Sequence, residues 1–474
     1  MKRGLLLLLV VIVVLTFIII QNNDSSDSTS STVSLPSFVF VTIDTLRADR
    51  VGSYGYPRDV TPFFDSLAES GVVFENAFSA SSHTAPSHTT MFTGVYPFEH
   101  NVLRNHEVLN PDRFNIAKLF SELGYNTAGL PSVTFMDGKV GFPLIDFPTT
   151  DKEQRQLERH RFRNAADMVD RAISWLSNQD HSKPTFLWLH FYDVHQWKGR
   201  GLLPEKYYKQ VLEMHRDDYL DFLESEHNTP LDFFGSREQM LEYMNNYDAR
   251  LLFVDAQIRR LYDHMQDAGI NKNAFWIIAS DHGEGLGNHN YEGHGEFLYQ
   301  EQIHIPLVFH HTAGRLEQRR VNQLIRTVDF FPTLADLAGE PLTLRDLELH
   351  GISFRSLLER GEWSGDGVQF SFGQRRPKDT VSFRKDWLNG EVMSLHDLKV
   401  KYIYRSDAED EFYDLERDPF ELENIAGTGR VEERFLTNQL KELVVPSDPE
   451  AAAVDNEPEL SSDEIEELKT LGYL

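Results

Sequence analysis

Ser37–Ile43, Thr185–His190 and Ala274–Ser280 are apolar runs of strand length, and a carboxylate follows each: Asp44, Asp193 and Asp281. Unbroken apolarity, rather than alternation, marks a strand buried on both faces. Ile305–Phe309 is a shorter run of the same kind. Between these runs the period lengthens. Val60, Phe63, Phe64 and Leu67 recur at helical spacing up to Gly71, and Phe114, Ala117, Phe120 and Leu123 do so before Gly124. Ala165, Val169, Ala172, Ile173 and Leu176 mark a further helix, and a long helical pattern runs from about Glu238 to Gln266. Strands alternating with helices predict an α/β fold, a large mainly parallel sheet covered by helices on both faces. Ligands bind beyond the carboxyl ends of the strands in such folds, and Asp44, His190 with Asp193, and Asp281 all fall there.

The two ends of the chain read differently. Past Gly339, Val368–Phe372, Thr380–Phe383 and Lys399–Tyr404 alternate like strands of a half-exposed antiparallel sheet, which predicts a smaller C-terminal subdomain. From Pro446 to Glu464 the chain is acidic and lacks aromatic residues, the pattern of a solvated linker, and Ile465, Leu468 and Leu471 mark a short terminal helix. At the N-terminus, Lys2 and Arg3 precede the apolar run Gly4–Ile20, which reaches about 25 Å as a helix, the low end for spanning a bilayer. With no A-x-A-like cleavage site, it reads as an uncleaved signal anchor, and secretion after signal cleavage is the alternative. Either way the positive flank stays in the cytoplasm and the catalytic part lies outside it. The expected organisation is a membrane helix over 1–21, a polar tether over 22–36, a catalytic domain over 37–345, a C-terminal subdomain over 346–445, and a linker with a terminal helix over 446–474.

Charge and composition narrow the function. A formal net charge of −28 over 474 residues argues against nucleic-acid binding, because phosphate backbones recruit basic faces. An anionic substrate would need positive charge concentrated locally, most economically by metal ions. The absence of cysteine excludes disulfides, thiolate metal sites and a cysteine nucleophile. The chemistry must come from elsewhere. Thr84-Ala85-Pro86-Ser87-His88 offers a hydroxyl, a proline and an imidazole where a helix should begin. The Thr84 hydroxyl is either a nucleophile beside helix N–H groups that stabilise an oxyanion, or an ordinary N-cap. Asp44 and Asp281 with the adjoining His282 form a carboxylate pair plus imidazole, which suits Mn or Zn better than Ca. Asp193, His195 and His294 form a second candidate cluster, so one or two divalent ions are expected. Arg47, Arg104 and Lys139 are candidate anion contacts, with a solvated surface role as the competing reading. His83, His100, His106 and His289 lie near these motifs without an assigned role.

The motifs together resemble the sulfatase family, within the alkaline phosphatase superfamily. The matching pieces are Ile43-Asp44-Thr45-Leu46-Arg47-Ala48-Asp49 with Gly52-Ser53-Tyr54-Gly55, then Thr84 to His88 through Thr93-Gly94, and Gly124-Tyr125. Ser280-Asp281-His282-Gly283-Glu284, Gly293-His294-Gly295, Val328 to Thr333, and Phe412 to Pro419 with Asn424 follow in family order, and Leu471-Gly472-Tyr473 resembles an ending common among bacterial members. The resemblance implies a nucleophile at Thr84, metal binding by Asp44, Asp281 and His282, and a second metal centre where Asp193, His195 and His294 converge. It also has departures. Sulfatases carry Cys or Ser at the Thr84 position and oxidise it to formylglycine, which threonine cannot yield because its β-carbon bears a methyl group. His88 stands where Arg is usual, His282 where Asn is, His294 near the later Lys, and Thr45 at the second Asp of the N-terminal pair.

Superfamily members that use threonine directly are phosphodiesterases and phosphoryl transferases. The expectation is therefore a metal-dependent hydrolase that cleaves phosphate esters, chiefly diesters, with Thr84 as nucleophile and His88 steadying charge on the transferred group. The other readings are a sulfuric ester hydrolase without formylglycine, an envelope phosphoryl-group transferase, and a non-catalytic binding protein on the same fold. The partner is an anionic ester, whether a small molecule, an envelope polymer or a lipid head group.

Overall fold

In this computed structural model the described residues are 35–133, 136, 140–142, 162–196, 198–199, 201–214, 217–224, 231–342, 347–363, 371–375, 391–406 and 408–443. The expected anchor, the tether up to residue 34, Lys139, Thr380–Phe383 and the terminal linker lie outside them. Among the described residues no helix is long and apolar enough to cross a membrane. From Pro36 onward the chain belongs to one compact unit.

Seven strands form the central sheet: β1 (Ser37–Ile43), β2 (Val72–Phe78), β3 (Asn126–Pro131), β4 (Thr185–Phe191), β5 (Ala274–Ser280), β8 (His304–His311) and β9 (Arg319–Arg326). A two-residue-per-arm ribbon, β6 (Gly285–Leu286) with β7 (Glu292–Gly293), lies between β5 and β8 in sequence. The sheet order is β3-β4-β1-β5-β8-β2-β9, and β8 alone runs against its neighbours. The sheet is mainly parallel as expected, and mixed only through this single reversed strand.

Strand β1 shows why both faces are covered. Val39, Val41 and Ile43 enter one core beside α1 (Pro62–Ala68), α4 (Ala165–Ser177) and α5 (Arg237–Asp267). Phe38 and Phe40 enter the opposite core with α2 (Thr84–Thr93), α3 (Ile116–Glu122) and α6 (Phe330–Leu337). Successive strand side chains alternate faces, so a run apolar throughout must be buried on both. The helix expected to begin at Thr84 is α2, and every residue of it is buried, the polar ones included. Gly94 closes it in the left-handed conformation at φ +70°, the usual glycine terminator.

Four antiparallel strands follow: β10 (Ser371–Arg375), β11 (Val392–His396), β12 (Val400–Arg405) and β13 (Glu411–Asp414). The Val368–Phe372 expectation overlaps β10 only at its last two residues, and residues 364–370 lie outside the described set. This sheet shares a core with the first part of the chain, where Ala80, Tyr96 and Val328 pack with Met393, Phe412 and Leu436. Gln374 N–H donates to Ala80 O at 3.0 Å. Lys401 and Glu421 form a fully buried pair at 2.7 Å.

His289, on the turn between β6 and β7, is a further tie. Its Nδ1 lies 2.9 Å from Glu301 Oε1 and its Nε2 lies 3.0 Å from Glu421 O, while its ring stacks on Tyr299 with centroids 3.7 Å apart. Both partners can only accept, so both ring nitrogens carry protons. Burial opposes that charge, but Glu301 and Glu421 outweigh it and raise the pKa to about 9. A group whose folded pKa is raised stabilises the fold fully below its unfolded pKa and loses that contribution as the pH climbs through the folded value. His289→Gln should therefore lower the thermal midpoint at pH 6, and the gap to the parent should narrow steadily between pH 6.5 and pH values above 9.

Candidate active site

The carboxyl ends of β4, β1 and β5 are neighbours in the sheet, with Thr42 opposite His190 and Ile43 opposite Ser280. Asp44 and Asp281 therefore emerge side by side, and both are fully buried. Ser280 locks this edge, donating its hydroxyl towards Ile43 O at 2.7 Å and His282 O at 2.6 Å and accepting Leu46 N–H at 3.0 Å. Thr45 is held at φ +60°, a conformation costly for a β-branched residue. Strain there points the Thr45 N–H at Asp281 Oδ1, 3.3 Å away, and Tyr247 clamps the Thr45 carbonyl at 2.8 Å.

Helix α2 completes the group from the other face of the sheet. Its N-cap is His83, so Thr84 is the first helical residue and not the cap. The Thr84 hydroxyl donates to Asp44 Oδ2 at 3.2 Å and lies 3.4 Å from His282 Nε2. Ser87, one turn on, anchors the helix by donating to Asp281 O at 2.6 Å. The helix start offers little to an oxyanion: Ala85 N–H donates to Asn105 Oδ1 at 2.9 Å, Pro86 has no N–H, and Ser87 N–H donates to His83 O.

The donor set fits a divalent ion. Asp44, Asp281 and His282 bring ligand atoms within 4.8 Å of one another. Asp281 Oδ1 is taken by the Thr45 and His282 N–H groups, while Oδ2 has no hydrogen-bond partner, and neither has Asp44 Oδ1. His282 Nδ1 faces Gly283 O at 2.9 Å and must carry a proton, so Nε2, 3.5 Å from Asp281 Oδ2, is the ring nitrogen that could meet an ion. Buried acceptors converging without a proton between them call for a cation. Burial pushes the Asp44 carboxyl above its usual range, opposed by His282 and His294.

The second expected cluster does not form. Asp193 immediately precedes a 3-10 turn, Val194–Gln196, with Arg250 donating to its carbonyl at 3.3 Å, and its pKa is pushed up to about 7 by burial against the pull of Arg250. Its side chain joins no ligand group among the described residues. His195 stacks on Tyr192 at 4.1 Å and meets the His294 ring edge-on at 4.8 Å. His294 in turn lies 4.5 Å from the His282 ring, with Nδ1 3.4 Å from Glu284 Oε1. Burial works against its charged form, but Glu284 outweighs it and raises the pKa.

Two other expectations are corrected. His88 is not turned to the Thr84 hydroxyl: both its ring nitrogens are engaged, by Thr42 Oγ1 at 2.9 Å and Thr84 O at 2.7 Å. Burial drops its pKa to about 3, so it adds no positive charge. Arg47 is neither solvated nor free for an anion. It is buried, bidentate to Asp49 at 2.9 and 2.6 Å, and bonded to Glu284 O and Asn288 Oδ1. Conversely His190, noted only as a strand end, lies 3.2 Å from Asp44 Oδ2 and is fully buried. It also forms a second possible ligand group with His88 and Asp281.

A family model described as Sulfatase matches residues 36–340, and one described as N-sulphoglucosamine sulphohydrolase, C-terminal, matches residues 287–446. The chain belongs to the sulfatase family and is a hydrolase of it. It is 22% identical to the N-acetylglucosamine-6-O-sulfatase of Bacteroides thetaiotaomicron, over 90% of this chain and 88% of that one. It is 23% identical to an arylsulfatase of Clostridium perfringens, over 84% and 92%. Among solved structures it resembles the phosphonate monoester hydrolase of Agrobacterium radiobacter, with a TM-score of 0.67 at 21% identity over 86% of this chain and 95% of that one. A phosphonate monoester hydrolase of Silicibacter pomeroyi gives a TM-score of 0.64 at 20% identity, over 87% and 94%. These likenesses establish the alkaline-phosphatase-like fold.

The geometry separates two ligand sets experimentally. Elemental analysis of protein purified in Mn or Zn should find the bound ion lost in Asp281→Asn and His282→Ala but kept in Asp193→Asn. Equal loss in Asp193→Asn would contradict the grouping.

Proposed function

We propose that this protein is a metal-dependent phosphodiesterase in which Thr84 attacks phosphorus. The observation that carries the reading is the Thr84 hydroxyl lying 3.2 Å from Asp44 Oδ2 and 3.4 Å from His282 Nε2, inside a buried group suited to a cation. A divalent ion held by Asp44, Asp281 and His282 would supply the positive charge that acidifies the hydroxyl and offsets charge on the ester oxygens. Asp44 Oδ2, which already accepts the Thr84 hydrogen bond, takes the proton. The Thr84 oxygen then bonds to phosphorus as the bond to the leaving oxygen breaks. His294, kept protonated by Glu284, gives its proton to the departing alcohol. Water next attacks phosphorus and gives a proton to His294, the bond to the Thr84 oxygen breaks, and Asp44 returns its proton to that oxygen.

Access favours a step of movement. Thr84 is 1% exposed. A cavity of about 490 Å³ is lined by His195, Lys198, Arg250, Glu284, Tyr291 and His294. Gly293 and Gly295 flank that residue at φ +120° and +86°, conformations open to glycine. The Lys2-Arg3 flank and the apolar run Gly4–Ile20 support a membrane-anchored enzyme working outside the cytoplasm.

A sulfuric ester hydrolase is the second reading, favoured by the sulfatases among its relatives. Bis-p-nitrophenyl phosphate and p-nitrophenyl sulfate, each tested with Mn or Zn, separate the two. The proposal expects turnover of the diester that Thr84→Ala reduces by about a thousandfold. Turnover of the sulfate alone would favour the second reading, and an undiminished Thr84→Ala would overturn the nucleophile.

A further inference from the structure

Thr42 is the polar member of the inward face Phe38, Phe40, Thr42 on β1, and it is fully buried. A hydroxyl in such a place needs partners. Trp188 Nε1–H donates to Thr42 Oγ1 at 3.0 Å, and that hydroxyl lies 2.9 Å from His88 Nε2. At the far side of the ring, His88 Nδ1 lies 2.7 Å from Thr84 O. A carbonyl can only accept, so Nδ1 holds a proton and has no lone pair for a metal. That removes His88 from the ligand group it could form with His190 and Asp281. On the other side of the same peptide unit, Ala85 N–H donates to Asn105 Oδ1 at 2.9 Å. The Thr84–Ala85 peptide is therefore gripped at both its carbonyl and its N–H, where the chain turns from an extended His83 into the helix.

We propose that Thr42, acting through His88, and Asn105 are positioning residues that clamp the Thr84–Ala85 peptide plane and so aim the Thr84 hydroxyl at Asp44 and His282. The inference rests on Thr84 being the nucleophile. A hydroxyl attached to the first residue of a helix can turn with the peptide plane that follows it. Misplacing a reacting atom by about 1 Å can cost a hundredfold in rate. The clamp works through orientation, so it governs kcat and leaves metal affinity and ester binding alone.

The test uses the full chain loaded with Mn and assayed on bis-p-nitrophenyl phosphate, with Thr84→Ala alongside. Thr42→Val, nearly isosteric, and Asn105→Ala should each lower kcat by about tenfold to a hundredfold with KM within about twofold and metal content unchanged. Thr42→Ser and Asn105→Asp keep the hydroxyl and the acceptor oxygen, and should restore most of kcat. Thr84→Ala inactive with Thr42→Val and Asn105→Ala at full kcat would overturn the clamp and leave the nucleophile standing. Thr84→Ala fully active would overturn the nucleophile itself. Nitrogen NMR of histidine-labelled protein reads the clamp without turnover. A proton on His88 Nδ1 supports it, and a ring protonated only at Nε2 overturns it.

Discussion

Two carboxylates, Asp44 and Asp281, stand side by side in a dry interior, and the site is arranged around them. Adjacent parallel strands bring them together, since β1 and β5 pair in register up to Ile43 and Ser280 and an aspartate follows each strand directly. Taking such charges out of water costs several kcal/mol per ion unless a partner compensates. No Lys or Arg is paired with either side chain among the described ion pairs; the partners are the imidazoles of His88, His190 and His282. His88 and His190 are held neutral by burial, with pKa values near 3 and 4. A cation from solution would supply the compensation, and Asp44, Asp281 and His282 are grouped to hold one. The rest of the site serves that requirement: Thr45 accepts a strained backbone to bond Asp281, Ser280 pins both strand ends, and Ser87 ties the Thr84 helix to the same aspartate.

The parts of this arrangement visible in the sequence were those carried by strong local signals. β1, β4 and β5 announce themselves because a strand buried on both faces has no polar positions, and Asp44 and Asp281 stand at their ends. The long helix was legible to within a residue, Arg237–Asp267 against an expected Glu238 to Gln266. β2, β3 and β9 were not. β2 is broken by a bulge at Glu75-Asn76, β3 carries glycine and proline, and β9 is an edge strand with three arginines among its eight residues. Each wins its place through pairing rather than propensity.

The same limit applies at the site. Asp193 and His195 have the spacing of ligands, but at the 3-10 turn that follows Asp193 its carbonyl is bonded by Arg250 and His195 turns to Tyr192. Spacing sets what can meet only when the local conformation is known. Asn105 and Thr42 carry no signal at all, since an asparagine in a loop and a threonine in a strand are ordinary; their contact with the Thr84 segment exists only in the folded chain. Arg47 shows the converse. It belongs to a motif shared with the sulfatases and looks like an anion contact, yet it is consumed by Asp49, Glu284 and Asn288. In this segment a family motif records how the strand-end loop is held rather than what the substrate touches.

The replacement of a formylglycine precursor by threonine gives the account its central claim, that the side chain of Thr84 itself becomes covalently bound to the transferred group. Acid-quenching the Mn-loaded enzyme during turnover of a phosphodiester, followed by peptide mass spectrometry, tests this most directly. The account predicts phosphate on the peptide that contains Thr84, located at that residue and absent from Thr84→Ala. Steady turnover with that peptide unmodified at every quench time would contradict it.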